Sequence, residues 1–365
     1  MQEPIRILIV DGKMICGGIE SFVMNIYRHI DRTKIQFDFL VHYKERFFYD
    51  DEIERLGGKI HRLSFRNDHN IFKYKKDLKN FFKNHTEYQI VWGHMEGLAS
   101  IYLKAAKKSG VRTTIAHAHI TSAERSLKGL VKRFLRKNIH KYADYRFACS
   151  TEAGKYVFGR HEFQLIPNAI DTKRFTFDKQ TRLSIRKKHN WQEDQFIVGH
   201  IGRFNEQKNH KYLIDIFQEY HRLNKKSVLC LCGDGELQTS IKEYVISKNL
   251  EEYVLFTGNI PNVNEYYQAF DIFVMPSLYE GLPVSGVEAQ ACGLPCIFAD
   301  TITPEVSLLS DRVQFLSILQ PAETWAHSIF NQKNVDRHLS EGELILTKYD
   351  IYHLSEYLTH FLLNH

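Results

Sequence analysis

The chain has 365 residues, of which 43% are hydrophobic and 25% are charged. This composition is too apolar for a disordered chain, and the length favours two domains over one. No stretch approaches the ~18 uncharged apolar residues of a membrane span, and residues 1–10 lack the basic flank and long apolar core of a signal peptide. Six cysteines are too few for a disulfide framework. The sequence therefore predicts a soluble, cytoplasmic, two-domain protein.

The charge is distributed unevenly along the chain, whose formal net charge is +6. Residues 1–168 carry 30 Lys and Arg against 18 Asp and Glu, a net charge of +12, whereas residues 169–365 carry 19 against 25, a net charge of −6. The two halves are therefore expected to face different partners. An anionic membrane or a phosphate-bearing substrate would suit the basic half, and no nucleic-acid-binding motif accompanies its charge.

The first half alternates short apolar segments with amphipathic ones. The run Ile5–Val10 predicts a strand, and Ile19–Ile30 has the spacing of a helix. Further strands are predicted at Phe37–Val41, Lys59–Leu63, Gln89–Trp92, Thr113–Ala116, Arg146–Cys149 and Gln164–Ile166. Short apolar strands separated by helices are typical of a parallel sheet covered on both faces. We therefore expect a doubly wound, Rossmann-like domain over residues 1–168.

The same alternation begins again after the turn signal Pro167–Asp171. Strands are predicted at Phe196–Ile201, Ser227–Cys232, Tyr253–Phe256, Ile272–Met275 and Pro295–Phe298, and helices at Lys208–Arg222, Glu236–Ser247, Val263–Ala269 and Val284–Cys292. A second Rossmann-like domain is expected over residues 169–348. Such sheets bind ligands at the carboxyl ends of their strands, so the α/β fold class predicts two domains that face each other across a cleft.

Two glycine-containing loops have the composition of anion-binding sites. Gly17 and Gly18 lie between the first strand and the first helix, where a helix N-terminus supplies N–H groups and a partial positive charge. Gly202, Arg203 and Lys208 lie at the end of a strand and the start of a helix, and the two cations would suit a diphosphate. The alternatives are a tight strand-to-helix turn for the first loop and a solvated loop for the second.

The most specific segment runs from Ser277 to Ala289. It places one carboxylate, Glu280, before a predicted helix and a second, Glu288, two turns later. Ionised carboxylates accept hydrogen bonds strongly from neutral hydroxyl groups, so this pair suits recognition of a sugar. The predicted helix begins in the segment Gly281, Leu282, Pro283 and Val284. The backbone N–H groups of this segment could bind sugar or phosphate oxygens, except at Pro283, which has no N–H.

Two histidines, His117 and His119, follow the predicted strand Thr113–Ala116 and should face the same side of the chain. Either could be a hydrogen-bonded structural imidazole or a residue of the ligand crevice. A zinc site would need further ligands, and no others are found nearby at a convincing spacing. We therefore expect no metal.

Taken together, these segments and Gly233-Asp234-Gly235 resemble glycosyltransferase family 4 over essentially the whole chain and in the same order. The segment from Pro295 to Val306 is most similar to the bacterial capsular and exopolysaccharide branch. The resemblance implies a GT-B fold, a retaining transfer from a nucleotide-sugar with UDP as the expected nucleotide, and no cofactor or metal. It also implies that the periodic segment Tyr349–Leu363 crosses back onto the first domain.

The resemblance also implies residue roles. Arg203 and Lys208 would neutralise the donor diphosphate and stabilise the leaving group. Glu280 would bind hydroxyls of the transferred sugar, Glu288 would bind the ribose, and His119 would be the active-site histidine, with His117 as the alternative. The remaining expected substrate-binding residues are Gly17, Gly18, Gly202, Gly233, Asn259, Ile260, Gly281, Leu282, Pro283 and Val284.

The segment Arg125–Arg146 is strongly basic and has an apolar stripe at helical spacing. A helix packed on its own sheet, with its cations in solvent, is one interpretation. The other is docking on the anionic inner face of the plasma membrane, to which each cation would contribute about 1 kcal/mol. Because this segment follows His119, docking would bring the crevice to the bilayer and would favour a lipid-linked acceptor.

Three functions remain open from the sequence. The first is a glycosyltransferase (EC 2.4) that extends a lipid-linked oligosaccharide for surface polysaccharide. The second is a sugar-nucleotide epimerase or hydrolase of the same architecture. The third is a non-catalytic sugar-nucleotide-binding subunit of a glycosyltransferase complex, which the presence of both carboxylates and both cations disfavours.

Overall fold

The structure is a computed structural model that describes residues 3–120, 138–332, 335–337, 339 and 349–365, apart from the side chain of Arg66. These residues form two compact units. Unit 1 comprises Met1–Ala169 and Ile351–His365, and unit 2 comprises Ile170–Asp350. Each unit contains one parallel sheet.

The sheet of unit 1 has seven parallel strands in the order β3-β2-β1-β4-β5-β6-β7. The strands are β1 Ile5–Val10, β2 Ile35–Val41, β3 Ile60–Arg62, β4 Ile90–Gly93, β5 Thr113–Ala118, β6 Tyr145–Ala148 and β7 Gln164–Leu165. The inner strands are apolar and buried on both faces, as expected for a sheet that helices cover on both sides. The predicted strands are confirmed, with ends that differ by one or two residues.

Helices connect the strands of unit 1. They are α1 Gly18–His29, α2 Asp50–Arg55, α3 Phe65–Asp68, α4 Ile71–Asn84 and α5 Ala99–Lys108, followed by Ile139–Tyr142, Thr151–Phe158 and the C-terminal helix Ile351–Asn364. The C-terminal helix packs against α1, and its apolar face, which includes Leu358, belongs to the same core as Ile7 and Phe37. The predicted return of this segment to the first domain is confirmed.

The sheet of unit 2 has six parallel strands in the order β10-β9-β8-β11-β12-β13. The strands are β8 Phe196–Ile201, β9 Ser227–Cys232, β10 Val254–Gly258, β11 Ile272–Met275, β12 Cys296–Ala299 and β13 Val313–Leu316. The helices are Thr172–Phe175, Lys179–Lys188, His210–Leu223, Gln238–Ser247, Val263–Ala269, Val284–Ala291 and Ala322–Asn331. The doubly wound fold predicted for both halves is therefore confirmed.

The strand order identifies the edge of each sheet where a ligand is expected. In unit 1, β1 has β2 on one side and β4 on the other, so the chain connections leave in opposite directions. In unit 2, β8 has β9 and β11 in the same relation. Doubly wound sheets bind ligands at this switch point, outside the carboxyl ends of the strands. The residues that follow β1, β4, β8 and β11 are therefore candidates for function.

Residues 125–137, which make up most of the predicted basic helix 125–146, lie outside the described residues. The prediction that it continues to Arg146 is wrong, because a helix ends at Tyr142 and β6 contains Arg146. Asp144 causes the break: its carboxylate pairs with Lys107 at 2.6 Å and accepts a hydrogen bond from the backbone N–H of Thr114. Among the helices of the described segments, none is long and apolar enough to span a membrane.

Candidate active site

Two loops of unit 2 meet at the carboxyl ends of β8 and β9, and glycine makes this close approach possible. The backbone N–H of Phe204 donates to the carbonyl of Asp234 at 3.0 Å. A Cβ on Gly233, whose φ is +136°, would lie 2.2 Å from the carbonyl oxygen of Gly202, and a Cβ on Gly235 would lie 2.5 Å from that of Phe204. A side chain at either glycine would push the two loops apart, so their close approach requires glycine at both positions.

The loop after β8 is also joined to the loop after β11. The backbone N–H of Leu278 donates to the carbonyl of Gln207 at 2.8 Å, and the Gln207 side chain donates to the carbonyl of Tyr279 at 2.9 Å. These bonds bring Lys208 beside Glu280, with 2.7 Å between Nζ and Oε1. Their side chains are only 14% and 9% exposed. Both predicted residues therefore share one half-enclosed site, as an ion pair that the sequence did not indicate.

Arg203 provides a second cation near this site, but in a different environment. Its side chain is 43% exposed and pairs with Glu236 at 3.0 Å. An exposed ion pair of this kind contributes little to stability, so the guanidinium can exchange its partner for an anionic ligand at low cost. Arg203 thus suits reversible binding of a phosphate, whereas Lys208 is fixed by a buried carboxylate.

Glu288 lies in the helix Val284–Ala291, whose start after Pro283 agrees with the prediction. Its side chain is buried, and the hydroxyl of Tyr267 donates a hydrogen bond to Oε2 at 2.8 Å. Burial raises the pKa of Glu288 to about 7, while the bond from Tyr267 and the charge of Arg174 act in the opposite direction. The carboxyl group can therefore change its charge near neutral pH.

The other predicted residues of unit 2 lie at the same edge of the sheet. Gly258, at the end of β10, accepts a hydrogen bond from the backbone N–H of Gly233 at 2.9 Å, and Asn259 and Ile260 follow directly. Asn259 is exposed and Ile260 is half-buried. In the segment that leads from β11 into the helix Val284–Ala291, Gly281 is half-buried. The other predicted residues of this segment are buried: Leu282, Pro283 and Val284.

In unit 1, Gly17 and Gly18 form the predicted start of α1. Gly17 is the residue before the helix and has an extended backbone. A Cβ on Gly17 would lie 2.4 Å from a carboxylate oxygen of Glu20, whereas a Cβ on Gly18 would have nothing within 4 Å. Because Glu20 is flexible and its carboxylate can move away, this contact does not require glycine at position 17, and Gly18 leaves open space beside the helix N-terminus.

Three histidines meet at the carboxyl ends of β4 and β5. Nδ1 of His94 lies 2.9 Å from Nε2 of His119, and the ring centroids of His117 and His119 are 4.2 Å apart. All three side chains are buried. Burial lowers the pKa of His119 to about 3, and burial together with the neighbouring rings lowers the pKa of His94 and His117 well below the usual range. The cluster therefore consists of neutral imidazoles at physiological pH.

His117 and His119 were predicted to share one side of the chain, and the structure brings them together. His94 was missed, as was Glu96, whose Oε1 accepts a hydrogen bond from the backbone N–H of His119 at 2.8 Å. The available signal was positional: His94 and Glu96 lie one and three residues after the end of β4, which pairs with β5. Asp11, which directly follows β1, was also missed; burial and the nearby Glu96 raise its pKa to about 7.

The histidine cluster could be a metal site, because one nitrogen from each ring lies within 4.8 Å of the others. Neutral imidazoles are the form that binds metals. However, a histidine that binds a metal normally donates its other N–H to a carboxylate, a carbonyl or water. Among the described residues, Nε2 of His94, Nδ1 of His119 and both ring nitrogens of His117 have no hydrogen-bond partner. Within the cluster, the structure shows one ring-to-ring hydrogen bond, between His94 and His119.

Comparison with known proteins places both units in one family. Residues 16–174 match the family model described as Glycosyltransferase Family 4, and residues 181–329 match the one described as Glycosyl transferases group 1. The Bacillus subtilis (strain 168) protein named glycosyltransferase EpsF is 36% identical over 332 residues, which are 89% of this chain and 86% of that protein. An Escherichia coli relative is 28% identical over 63% of each chain and is named UDP-Gal:alpha-D-GlcNAc-diphosphoundecaprenol alpha-1,3-galactosyltransferase.

Solved structures share the same fold. HepE of Anabaena, in complex with UDP and glucose, matches 98% of this chain and 99% of its own with a TM-score of 0.81 and 18% identity. Sucrose-phosphate synthase of Thermosynechococcus elongatus matches 100% of this chain and 99% of its own with a TM-score of 0.78 and 17% identity. At these identities, the likeness establishes the fold alone.

Proposed function

Because this chain belongs to glycosyltransferase family 4, we propose that it transfers a sugar from a UDP-linked donor to a lipid-linked oligosaccharide. The transfer retains the anomeric configuration and needs no metal or other cofactor. The product enters the biosynthesis of surface or capsular polysaccharide. A Staphylococcus aureus relative, 24% identical over 92% of this chain, is named Capsular polysaccharide biosynthesis glycosyltransferase CapH, which supports this placement.

The observation that carries the proposal is the Lys208–Glu280 pair, enclosed beside Arg203 at the switch point of unit 2. Sugar transfer from a nucleotide develops negative charge on the leaving diphosphate. Lys208, which Glu280 holds in place, and the exposed Arg203, which can exchange Glu236 for the diphosphate, would together stabilise this charge. In this proposal Arg203 and Lys208 contact the diphosphate, and Glu280 accepts hydrogen bonds from the transferred sugar.

The remaining donor contacts follow from the same edge of unit 2. Glu288 binds the ribose hydroxyls, and Asn259 and Ile260 line the base. Backbone N–H groups of the segment 281–284 bind sugar or phosphate oxygens where a free N–H is present. The HepE complexes with UDP and with UDP-glucose support UDP as the nucleotide, as does the name of the Escherichia coli relative.

Unit 1 supplies the acceptor side in this proposal. Its Gly17–Gly18 loop contacts phosphate or acceptor, and His119, with His117 beside it, contacts substrate. The diphosphoundecaprenol in the name of the Escherichia coli relative supports a lipid-linked acceptor. The net charge of +12 over residues 1–168 supports attachment to the inner face of the plasma membrane, through the basic segment 125–146.

A thermal-shift screen tests the donor site first, with UDP, GDP, ADP and their common sugar conjugates in EDTA. We expect a selective shift with UDP, largest for one UDP-sugar, and then transfer of that sugar to lipid-linked acceptors with the anomeric configuration retained, as read by NMR. Donor conversion without an acceptor would indicate an epimerase or hydrolase. Binding without any turnover would indicate a non-catalytic subunit.

Membrane attachment has a separate test by flotation with anionic liposomes. Neutralising Lys132, Arg133, Arg136 and Lys137 together should abolish flotation while the UDP-induced thermal shift persists. If the neutralised chain floats like the wild type, the basic segment is not the attachment site.

A further inference from the structure

We propose that His94 is a positioning residue, which holds the ring of His119 so that Nδ1 of His119 binds a hydroxyl group of a substrate sugar. This inference rests on the proposed function, which makes His119 a substrate contact. The geometry that points to it is the 2.9 Å approach between Nδ1 of His94 and Nε2 of His119.

His119 is fixed from three directions. His94 binds Nε2 of its ring, and Glu96 accepts a hydrogen bond from its backbone N–H at 2.8 Å. The ring of Phe22 lies on a third side, with 5.6 Å between the centroids. Of the two ring nitrogens, only Nδ1 lacks a hydrogen-bond partner among the described residues, and it is buried. Leaving such an atom unbonded costs about 1–3 kcal/mol, so a ligand that bonds to it is favoured.

The shared hydrogen bond links the proton positions of the two rings. Each neutral imidazole carries one N–H, on either of its two nitrogens. If His94 donates through Nδ1, then His119 carries its own proton on Nδ1 and presents a donor. If His119 donates through Nε2, its Nδ1 is an acceptor instead. In a change between these two states the shared proton passes from His94 to His119, Nδ1 of His119 gives up its proton, and Nε2 of His94 takes one up, so both rings stay neutral.

This property selects the chemical class of the ligand. A hydroxyl group can both donate and accept, so it can bond to Nδ1 of His119 in either state. A phosphate oxygen accepts only, and two buried carboxyl groups, Asp11 and Glu96, lie near each other at this edge of unit 1. Neither carboxyl group offers an anion a positive charge. A sugar hydroxyl, from either the donor or the acceptor, is therefore the ligand that the site favours.

The test uses three substitutions of His94, two of which place a side-chain amide at different positions and one of which has no amide. In His94→Asn the side-chain amide occupies nearly the position of Nδ1, so the bond to His119 can re-form. In His94→Gln the amide lies nearer the position of Nε2, and His94→Leu has no polar group. We expect a loss in kcat of about 10²-fold for the Gln and Leu variants and much less for the Asn variant, since small errors in placement have effects of that size.

A matched control comes from another histidine of unit 1. His61 bonds through Nε2 to the hydroxyl of Tyr88 at 2.7 Å and is not part of the proposed site. His61→Leu removes an imidazole hydrogen bond of similar length, so it reports what the loss of such a bond does to folding alone. We expect it to lower the melting temperature without changing kcat.

A spectroscopic readout separates positioning from a purely structural role. In the full chain labelled with ¹⁵N-histidine, the ring signals of His119 report which nitrogen carries the proton; His119→Asn assigns them. We expect His94→Leu and His94→Gln to change these signals and His94→Asn to preserve them. UDP-glucose and UDP-galactose test whether the donor supplies the hydroxyl. Methyl glycosides of glucose, galactose and N-acetylglucosamine test whether the acceptor supplies it. UDP alone should leave the His119 signals unchanged.

The inference is overturned if His94→Leu leaves both kcat and the His119 signals as in the wild type. It is also overturned if UDP alone shifts the signals as much as the sugar conjugates do, or if purified protein holds a stoichiometric transition metal whose removal changes them. Failure of the proposed function is recognised separately, because wild-type protein would then show no thermal shift with UDP. The effect of the His94 substitutions on the His119 signals would still decide the role of His94.

Discussion

The charge state of Glu288 makes the stability of the chain depend on pH in a specific window. Its carboxyl group is buried in the helix Val284–Ala291 and has a pKa of about 7, against an ordinary value of 4.5. Between these two pH values, the unfolded chain releases this proton and the folded chain keeps it. The folded state therefore loses stability as the pH rises from 4.5 to 7, and nothing further is lost above that range.

The size of the effect follows from the difference between the two pKa values. Each pKa unit corresponds to about 1.4 kcal/mol, so the full loss is about 3 kcal/mol, most of which falls between pH 5 and pH 8. Glu288→Gln removes the titrating proton but keeps an oxygen that can accept the hydrogen bond from Tyr267. The stability of this variant relative to the wild type should therefore improve by about 2–3 kcal/mol from pH 5 to pH 8.

Urea unfolding at several pH values measures this change. Tryptophan fluorescence and circular dichroism monitor the unfolding and distinguish the two units. The comparison of variant with wild type cancels the titration of all other groups. Glu236→Gln is a suitable control, because Glu236 is exposed and its side chain pairs with Arg203 at the surface. Parallel stability curves for Glu288→Gln and wild type across this pH range would refute the assignment of a neutral buried acid.

Three other predictions follow from the same structure. Lys208→Ala should lower turnover by several orders of magnitude without unfolding the chain, whereas Lys211→Ala, at an exposed lysine nearby in sequence, should leave turnover unchanged; steady-state kinetics decide this. Gly233→Ala should destabilise unit 2 by about 2 kcal/mol or more in urea unfolding and weaken the UDP-induced thermal shift, because its Cβ would lie 2.2 Å from a backbone oxygen. Leu358→Ala should cost about 2–5 kcal/mol in the unfolding of unit 1, while Leu363→Ala, at a residue 44% exposed, should cost far less.

The sequence predicts the fold well because hydrophobic periodicity is a local property. Each inner strand is a short apolar run, and the helices between them have their apolar residues at helical spacing. Helix and strand ends were less accurate, since they depend on contacts with distant residues. The break after Tyr142 is an example, because it depends on Asp144 bonding to Lys107 and Thr114, which are about 30 or more residues away.

The predicted donor-site residues in unit 2 were identified one at a time, and their relations came only from the structure. Lys208 and Glu280 are 72 positions apart, and no spacing rule joins them. Their contact depends on two hydrogen bonds, one between backbone groups and one from the Gln207 side chain, through which the loop after β8 lies along the loop after β11. Motifs therefore give the types of residue in a site, whereas strand order gives their pairing.

His94 illustrates how this limit could be reduced without a structure. It lies 25 positions from His119, outside any local motif, yet it follows β4 by one residue, as His119 follows β5. Adjacent parallel strands bring the residues after their carboxyl ends together, so once β4 and β5 are predicted to be neighbours, polar residues at those two positions are expected to meet. Asp11 follows β1 in the same way, and β1 is the other neighbour of β4. Reading the one to three residues after every predicted strand as a single set would therefore have placed His94, Glu96 and Asp11 beside His119.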